Sequence, residues 1–152
     1  MTKSSRKKVK IHSAEAIEGI RVAAAKAAWV RDCVAQSIKP GISTRDIEEN
    51  AEELIRECDG EPSFYRYQGF PGKICISVND EVVHGIGRQS RRIQPGDLVS
   101  LDIGVTYKGY IGDNATTVSV GPPGNPRIQE LLEATKHSLA KGIEAARCGA
   151  KG

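Results

Sequence analysis

Two aspartates, Asp102 and Asp113, lie on what the sequence predicts to be the two arms of one β-hairpin. The arms are residues 98–105 and 111–120, and residues 106–110 form the tip. Opposed residues of a two-residue hairpin have numbers with an odd sum, so this register predicts both carboxylates on one face of the sheet. Neighbouring anions repel. They persist together only where water screens them, or where a cation or a shared proton offsets the repulsion.

The first arm also predicts which face of the hairpin is buried. Its apolar residues alternate with small or acidic ones, Leu101, Ile103 and Val105 against Ser100, Asp102 and Gly104. Such alternation is typical of a strand with one side on a core and the other facing a cleft. An ordinary hairpin with a solvated outer face is the alternative. Aspartate is depleted in strands, however, and two on one face favour a site.

Length and composition indicate one soluble domain, since the chain has 152 residues, of which 39% are hydrophobic and 27% charged. No apolar run approaches the roughly 20 residues of a membrane span, and the N-terminus lacks the apolar stretch of a secretory signal. Four cysteines are far apart and form no C-x-x-C motif: Cys33, Cys58, Cys75 and Cys148. Reduced thiols fit a cytoplasmic protein, which is our expectation.

The net charge of +3 comes from the first ten residues, which include Lys3, Arg6, Lys7, Lys8 and Lys10. We therefore expect a basic flexible tail at 1–10 and a folded domain at 11–152. A solvated tail is the simpler interpretation. An electrostatic contact with ribosomal RNA or another polyanion is the alternative.

Three helices are predicted from apolar spacing. The first runs from Ser13 to about Ile38 with a stripe that includes Ile17, Ala27 and Val34. The second begins at Ser43 or Thr44 and ends at Gly60, and the third covers 127–147. The second has the clearest stripe, which consists of Ile47, Ala51, Leu54, Ile55 and Cys58.

Between the second helix and the aspartate hairpin, the sequence predicts a loop and two short strands. The loop at 61–72 contains both phenylalanines and two of the four tyrosines, which suggests the wall of an apolar pocket. Residues 74–78 then read as a strand, and 81–84 as a short returning strand.

Three segments give the chain a family resemblance from about Val9 onward. Residues 69–86 (GFPGKICISVNDEVVHGI), 96–104 (GDLVSLDIG) and 109–113 (GYIGD) resemble bacterial type I methionine aminopeptidase, of metallopeptidase family M24. The resemblance implies an α/β (α+β) pita-bread fold made of two pseudosymmetric halves. This chain would supply the first half and the opening helix of the second, as a partial domain truncated at its C-terminus.

The resemblance also implies a metal site and a reaction. Asp102 and Asp113 match two of five ligands that hold two divalent cations (Co, Mn, Fe or Zn). The oxygen-rich ligand set favours Mn, Fe or Co over a structural zinc. The remaining ligands, a His and two Glu, belong to the second half. The family removes the initiator methionine by water attack, and we expect the 152-residue chain alone to be inactive.

Four further residues receive roles from the resemblance. His84 matches a histidine that hydrogen-bonds the substrate near the scissile amide, and Tyr67, Phe70 and Cys75 match the pocket for the methionine side chain. A structurally satisfied histidine and plain core residues are the alternatives.

The partners implied are nascent polypeptide N-termini with a small second residue, and the ribosome through the basic tail. No membrane or specific nucleic acid is expected. The complete enzyme would be a monomer, whereas the fragment would be prone to self-association. Two alternatives stay open: a non-catalytic binding module of the same fold, and a prolyl aminopeptidase, against which the context of residues 82–86 and the aromatic loop favour methionine.

Overall fold

The structure, a computed structural model, describes residues 11–122 and 125–150, so the predicted tail at 1–10 lies outside the described residues. The elements in chain order are α1 (Ala14–Ser37), α2 (Thr44–Glu57), β1 (Glu61–Pro62), β2 (Cys75–Val78), β3 (Leu98–Tyr107), β4 (Tyr110–Ser119) and α3 (Pro126–Ala145). A 3₁₀ turn at Tyr67–Gly69 lies in the aromatic loop. The three predicted helices and the hairpin are therefore confirmed.

Serine hydroxyls begin the first two helices. The Ser13 hydroxyl accepts from the Ala16 amide, and Ser43, rather than Thr44, caps α2. At Ser43 the cap is reciprocal, because the Asp46 amide donates to the Ser43 hydroxyl while the Ser43 amide donates to the Asp46 carboxylate. This capping box satisfies two amides that a helix N-terminus otherwise leaves unpaired.

The buried side of α1 agrees with the predicted stripe at Ala27 and Val34 but not at Ile17. Ile17 is 49% exposed, whereas Ala23, Ala27, Val30 and Val34 are fully buried. Helix α1 packs closely on β4 at Ala23, since a Cβ at Gly112 would overlap the backbone of α1 there. Small residues are selected where a helix and a strand approach this closely, so the largest apolar residue does not mark the buried face.

Strand β3 is the centre of an antiparallel sheet. It pairs with β4 along its whole length on one edge, and with β2 and β1 in succession on the other. Both strands extend into the predicted tip at 106–110, and only Lys108 and Gly109 separate them, which is the two-residue turn that the predicted register requires. Both turn residues have positive φ, +49° and +81°, which is the backbone of a type I′ turn.

The core lies between one face of the sheet and the two N-terminal helices. Leu101, Ile103 and Val105 of β3 are fully buried there, as is the α2 stripe at Ile47 and Ile55. The alternation predicted for β3 is confirmed.

The predicted returning strand at 81–84 is absent from the structure. The Ile76 amide donates to the Gly85 carbonyl at 2.9 Å, but His84 has a φ of +61°. A strand needs extended backbone, so the left-handed conformation at His84 prevents a regular ladder.

Helix α3 has no buried residue. Its apolar side chains Leu131, Leu139 and Ile143 are 61%, 66% and 67% exposed. Among the residues that the structure describes, no helix combines the length and apolarity that crossing a membrane requires.

Candidate active site

The two aspartates lie on the sheet face opposite the core. Asp102 is opposite Ala115 and Asp113 is opposite Gly104, so the carboxylates are diagonal neighbours on adjacent strands, as their predicted shared face requires. The small partners leave space above both. Phe64 covers Gly104, where an added Cβ would lie 2.6 Å from the phenyl ring.

Burial, the charge of Asp113 and hydrogen bonding to the Asp113 carboxyl group together raise the pKa of Asp102 to about 6, while His84 acts in the opposite direction. The pair therefore retains a proton to a higher pH than an isolated aspartate does. This is the electrostatic strain that the sequence predicted for the hairpin, and a bound cation would relieve it.

Cys75 lies on β2 directly opposite Asp102 and is buried. Burial, together with the charge of Asp102, raises the pKa of its thiol to about 11. The thiol is therefore neutral at neutral pH. It lines the cavity beside the carboxylates as an apolar group and does not act as a nucleophile.

One cavity of about 600 Å³ contains all six residues that the sequence analysis selected. Asp102, Asp113 and Cys75 line it from the sheet, Tyr67 and Phe70 line it from the aromatic loop, and His84 completes the set. Residues brought together from four separate parts of the chain thus line one space. A volume of about 600 Å³ is ordinary for a pocket that binds a small ligand.

The cavity has lining residues that the sequence analysis did not select, namely Phe64, Gln68, Gly69 and Pro71. All four belong to the aromatic loop. The concentration of phenylalanine and tyrosine there marked the loop as a pocket wall, but not which side chains face the cavity.

His84 is exposed and sits beside Phe70, with ring centroids 6.0 Å apart and planes inclined by 56°. The following residue, Gly85, packs directly on β2, where an added Cβ would overlap the Ile76 carbonyl. The histidine is therefore carried on a short segment that is fixed to the sheet and presents its ring to the cavity.

The donor set fits part of a divalent-cation site. Carboxylate oxygens are suitable ligands for hard and borderline cations, and the strained Asp102–Asp113 pair favours an added positive charge. Within residues 11–122 and 125–150, no group of three or more His, Cys, Asp or Glu side chains is arranged to hold a metal ion. Two carboxylates are thus the ligands that the described part of the chain offers.

Comparison with known proteins shows which family the chain belongs to. Residues 18–152 match metallopeptidase family M24. The chain belongs to this family. It is 42% identical to a methionine aminopeptidase of Aquifex aeolicus over 149 residues, covering 94% of this chain and 57% of the relative. It is 47% identical over 112 residues to methionine aminopeptidase 1 of Bacillus subtilis, covering 74% of this chain and 44% of the relative.

The fold comparison agrees. The crystal structure of a methionine aminopeptidase from Thermotoga maritima superposes with a TM-score of 0.85 at 34% identity, over 90% of this chain and 54% of that one. The predicted pita-bread architecture is confirmed, and the chain spans about half the length of the M24 relatives that it matches. The resemblance to methionine aminopeptidases inferred from three short segments is likewise confirmed.

Proposed function

We propose that this M24 chain acts in the metal-dependent removal of N-terminal methionine from polypeptides whose second residue is small. The observation that carries the proposal is the single cavity in which paired carboxylates, a histidine and an aromatic wall meet. Each group has a separate part in the reaction, and the cavity holds one substrate N-terminus against all three.

Asp102 and Asp113 would hold divalent cations, which when bound supply an acidified water as nucleophile and polarise the scissile carbonyl. Their position on paired strands of a packed sheet fixes the distance between them. The identity of the metal, among Co, Mn, Fe and Zn, is not part of the proposal.

The remaining residues bind and orient the substrate. Tyr67, Phe70 and Cys75 would surround the methionine side chain, whose thioether gains from aromatic contact. His84 would donate a hydrogen bond at the scissile amide, since it lines the same cavity as the two carboxylates. A free amino group would approach the carboxylates, which limits the reaction to chain ends.

The biological setting follows from this chemistry. Nascent polypeptides in the cytoplasm are the substrates that present a new N-terminal methionine, and the basic residues 1–10 would favour the polyanionic ribosome. The exposed apolar residues of α3 favour self-association of the 152-residue chain.

Binding of short peptides tests the proposal. With Mn(II) present, the protein is expected to bind Met-Ala-Ser more tightly than N-acetyl-Met-Ala-Ser or Glu-Ala-Ser, because only the first has both a free amino group and a methionine side chain. Fluorescence anisotropy of labelled peptides measures the difference. Equal binding of all three peptides would contradict the proposal.

We further propose that the 152-residue chain by itself does not complete the reaction, since hydrolysis also needs a general base beside the two carboxylates. The expected result is binding of Met-Ala-Ser without release of methionine. Release that the Asp113→Ala variant abolishes would show instead that these residues suffice.

A further inference from the structure

Helix α2 has a second stripe of residues that its apolar pattern does not explain. Thr44, Glu48 and Glu52 follow one another at intervals of four, which places them on one side of the helix. Thr44 and Glu48 are only 1% and 4% exposed. A buried glutamate is uncommon, and its burial requires partners for both carboxylate oxygens.

Glu48 has a partner for each oxygen. Its Oε1 accepts from the Lys73 backbone amide at 2.7 Å, and its Oε2 accepts from the Arg45 guanidinium at 3.2 Å. The carboxylate also packs directly against Gly87, where any added Cβ would overlap Oε2. One side chain of α2 therefore contacts two separate loops.

Both loops lead to the candidate active site. Lys73 is three residues beyond Phe70, and Gly87 is three residues beyond His84. Thr44 reinforces the second connection, because its hydroxyl accepts from the Arg88 amide at 2.9 Å and donates to the Arg88 carbonyl at 3.2 Å. The segments that follow Phe70 and His84, whose ring centroids lie 6.0 Å apart, are thus both anchored to one helix.

The backbone of His84 has an uncommon conformation that its neighbours must stabilise. His84 is a non-glycine residue with a φ of +61°, a conformation that persists only where the surrounding structure fixes it. Gly85 packs on β2 on one side of the segment, and Glu48 and Thr44 hold Gly87 and Arg88 on the other. Together they leave His84 little freedom to relax.

We propose that Glu48 is a positioning residue that holds Phe70 and His84 at their observed separation, and thereby sets the affinity of the cavity for the methionine side chain. The inference rests on the proposed function of the cavity. Glu48 touches neither substrate nor metal ligands, and it acts through the two loops.

The test compares Glu48→Ala with the matched control Glu49→Ala in the 152-residue chain. Both remove a carboxylate that accepts from Arg45, but Glu49 is exposed, and among the described residues its carboxylate pairs with Arg45 and with no group of either loop. Two quantities are measured without added metal: the nuclear Overhauser contact between the Phe70 and His84 rings, and the affinity for L-methioninamide by NMR titration. Thermal unfolding is recorded for each variant.

Glu48→Ala is expected to weaken or abolish the ring contact and to lower methioninamide affinity roughly tenfold, whereas Glu49→Ala changes neither. If Glu48→Ala does not fold, Gly87→Ala displaces the same carboxylate from the loop side and is expected to give the same two changes. A folded Glu48→Ala or Gly87→Ala protein with an unchanged ring contact overturns the inference, even if its melting temperature falls.

The outcome for the proposed function is read separately. Wild-type protein that binds no methioninamide would count against the methionine cavity itself. The ring contact still decides the role of Glu48, because it is measured without a ligand.

Discussion

The two faces of strand β3 have opposite effects on the stability of the fold. On one face Leu101, Ile103 and Val105 are fully buried and stabilise the fold by removing apolar surface from water. On the other, Asp102 is held beside Asp113 against their mutual repulsion, with its pKa raised to about 6. Neighbouring residues of one strand thus differ in role, since Leu101 stabilises the core and Asp102 belongs to the candidate site. A substitution at position 101 and one at 102 should therefore have opposite effects on stability.

The buried face should give the largest effect. Leu101→Ala removes a fully buried side chain and leaves a cavity, so we expect the free energy of unfolding to fall by about 2–5 kcal/mol. Chemical denaturation followed by circular dichroism measures the loss. A decrease below about 1 kcal/mol would show that this face is not the packed core of the sheet.

The open face should respond in the other direction. Asp102→Asn removes a carboxyl group whose ionisation is opposed by burial and by the charge of Asp113. We expect the metal-free protein to become more stable at pH 7 by about 1–2 kcal/mol, a figure reduced for solvent screening. The same denaturation experiment tests this. Destabilisation by the substitution would contradict the account of a strained carboxylate pair.

The raised pKa of Asp102 should also make the free energy of unfolding depend on pH. The pKa of Asp102 is raised from 3.8 to about 6 in the folded protein, so in this window the folded state binds more protons than the unfolded state. The stabilising contribution of Asp102 to the free energy of unfolding is therefore fully present below pH 3.8 and is lost as the pH rises through about 6. Unfolding curves of wild type against Asp102→Asn isolate it, and a difference between them that does not vary with pH would exclude it.

The smallest effect is expected beyond the sheet, on α3. Leu139 is 66% exposed, so Leu139→Ala should change the free energy of unfolding by less than about 0.5 kcal/mol. Dilute protein is needed for this measurement, since self-association would add to the apparent stability. A loss comparable to that of Leu101→Ala would mean that α3 is packed in solution.

Local patterns predicted the parts of the fold that local physics determines. Alternation in β3 and the stripe of α2 follow from periodicity, and the start of α2, predicted at Ser43 or Thr44, has its cap at Ser43. The shared face of the aspartates follows from the parity of a two-residue hairpin, which holds because only Lys108 and Gly109 separate the strands. Site residues such as His84 were selected by family resemblance, and the fold places them in one cavity.

Other features depend on contacts between distant segments, and the sequence alone did not predict them. The segment at 81–84 fails to form a strand because Gly85 meets β2 and leaves His84 left-handed. The burial of Ala23, which was not in the predicted stripe of α1, accompanies the close approach of this helix to Gly112. Glu48 looks like one of several surface acids along α2 until Lys73 and Gly87 are brought against it.

The central claim is that the paired carboxylates on the open face bind a divalent cation, and titration with Mn(II) followed by NMR tests it most directly. Paramagnetic broadening should affect the amide signals of Asp102, Gly104, Asp113 and Ala115 first, with roughly millimolar affinity for two carboxylates. The Asp113→Asn variant should lose the effect. Broadening that avoids these residues, or that persists unchanged in Asp113→Asn, would contradict the account.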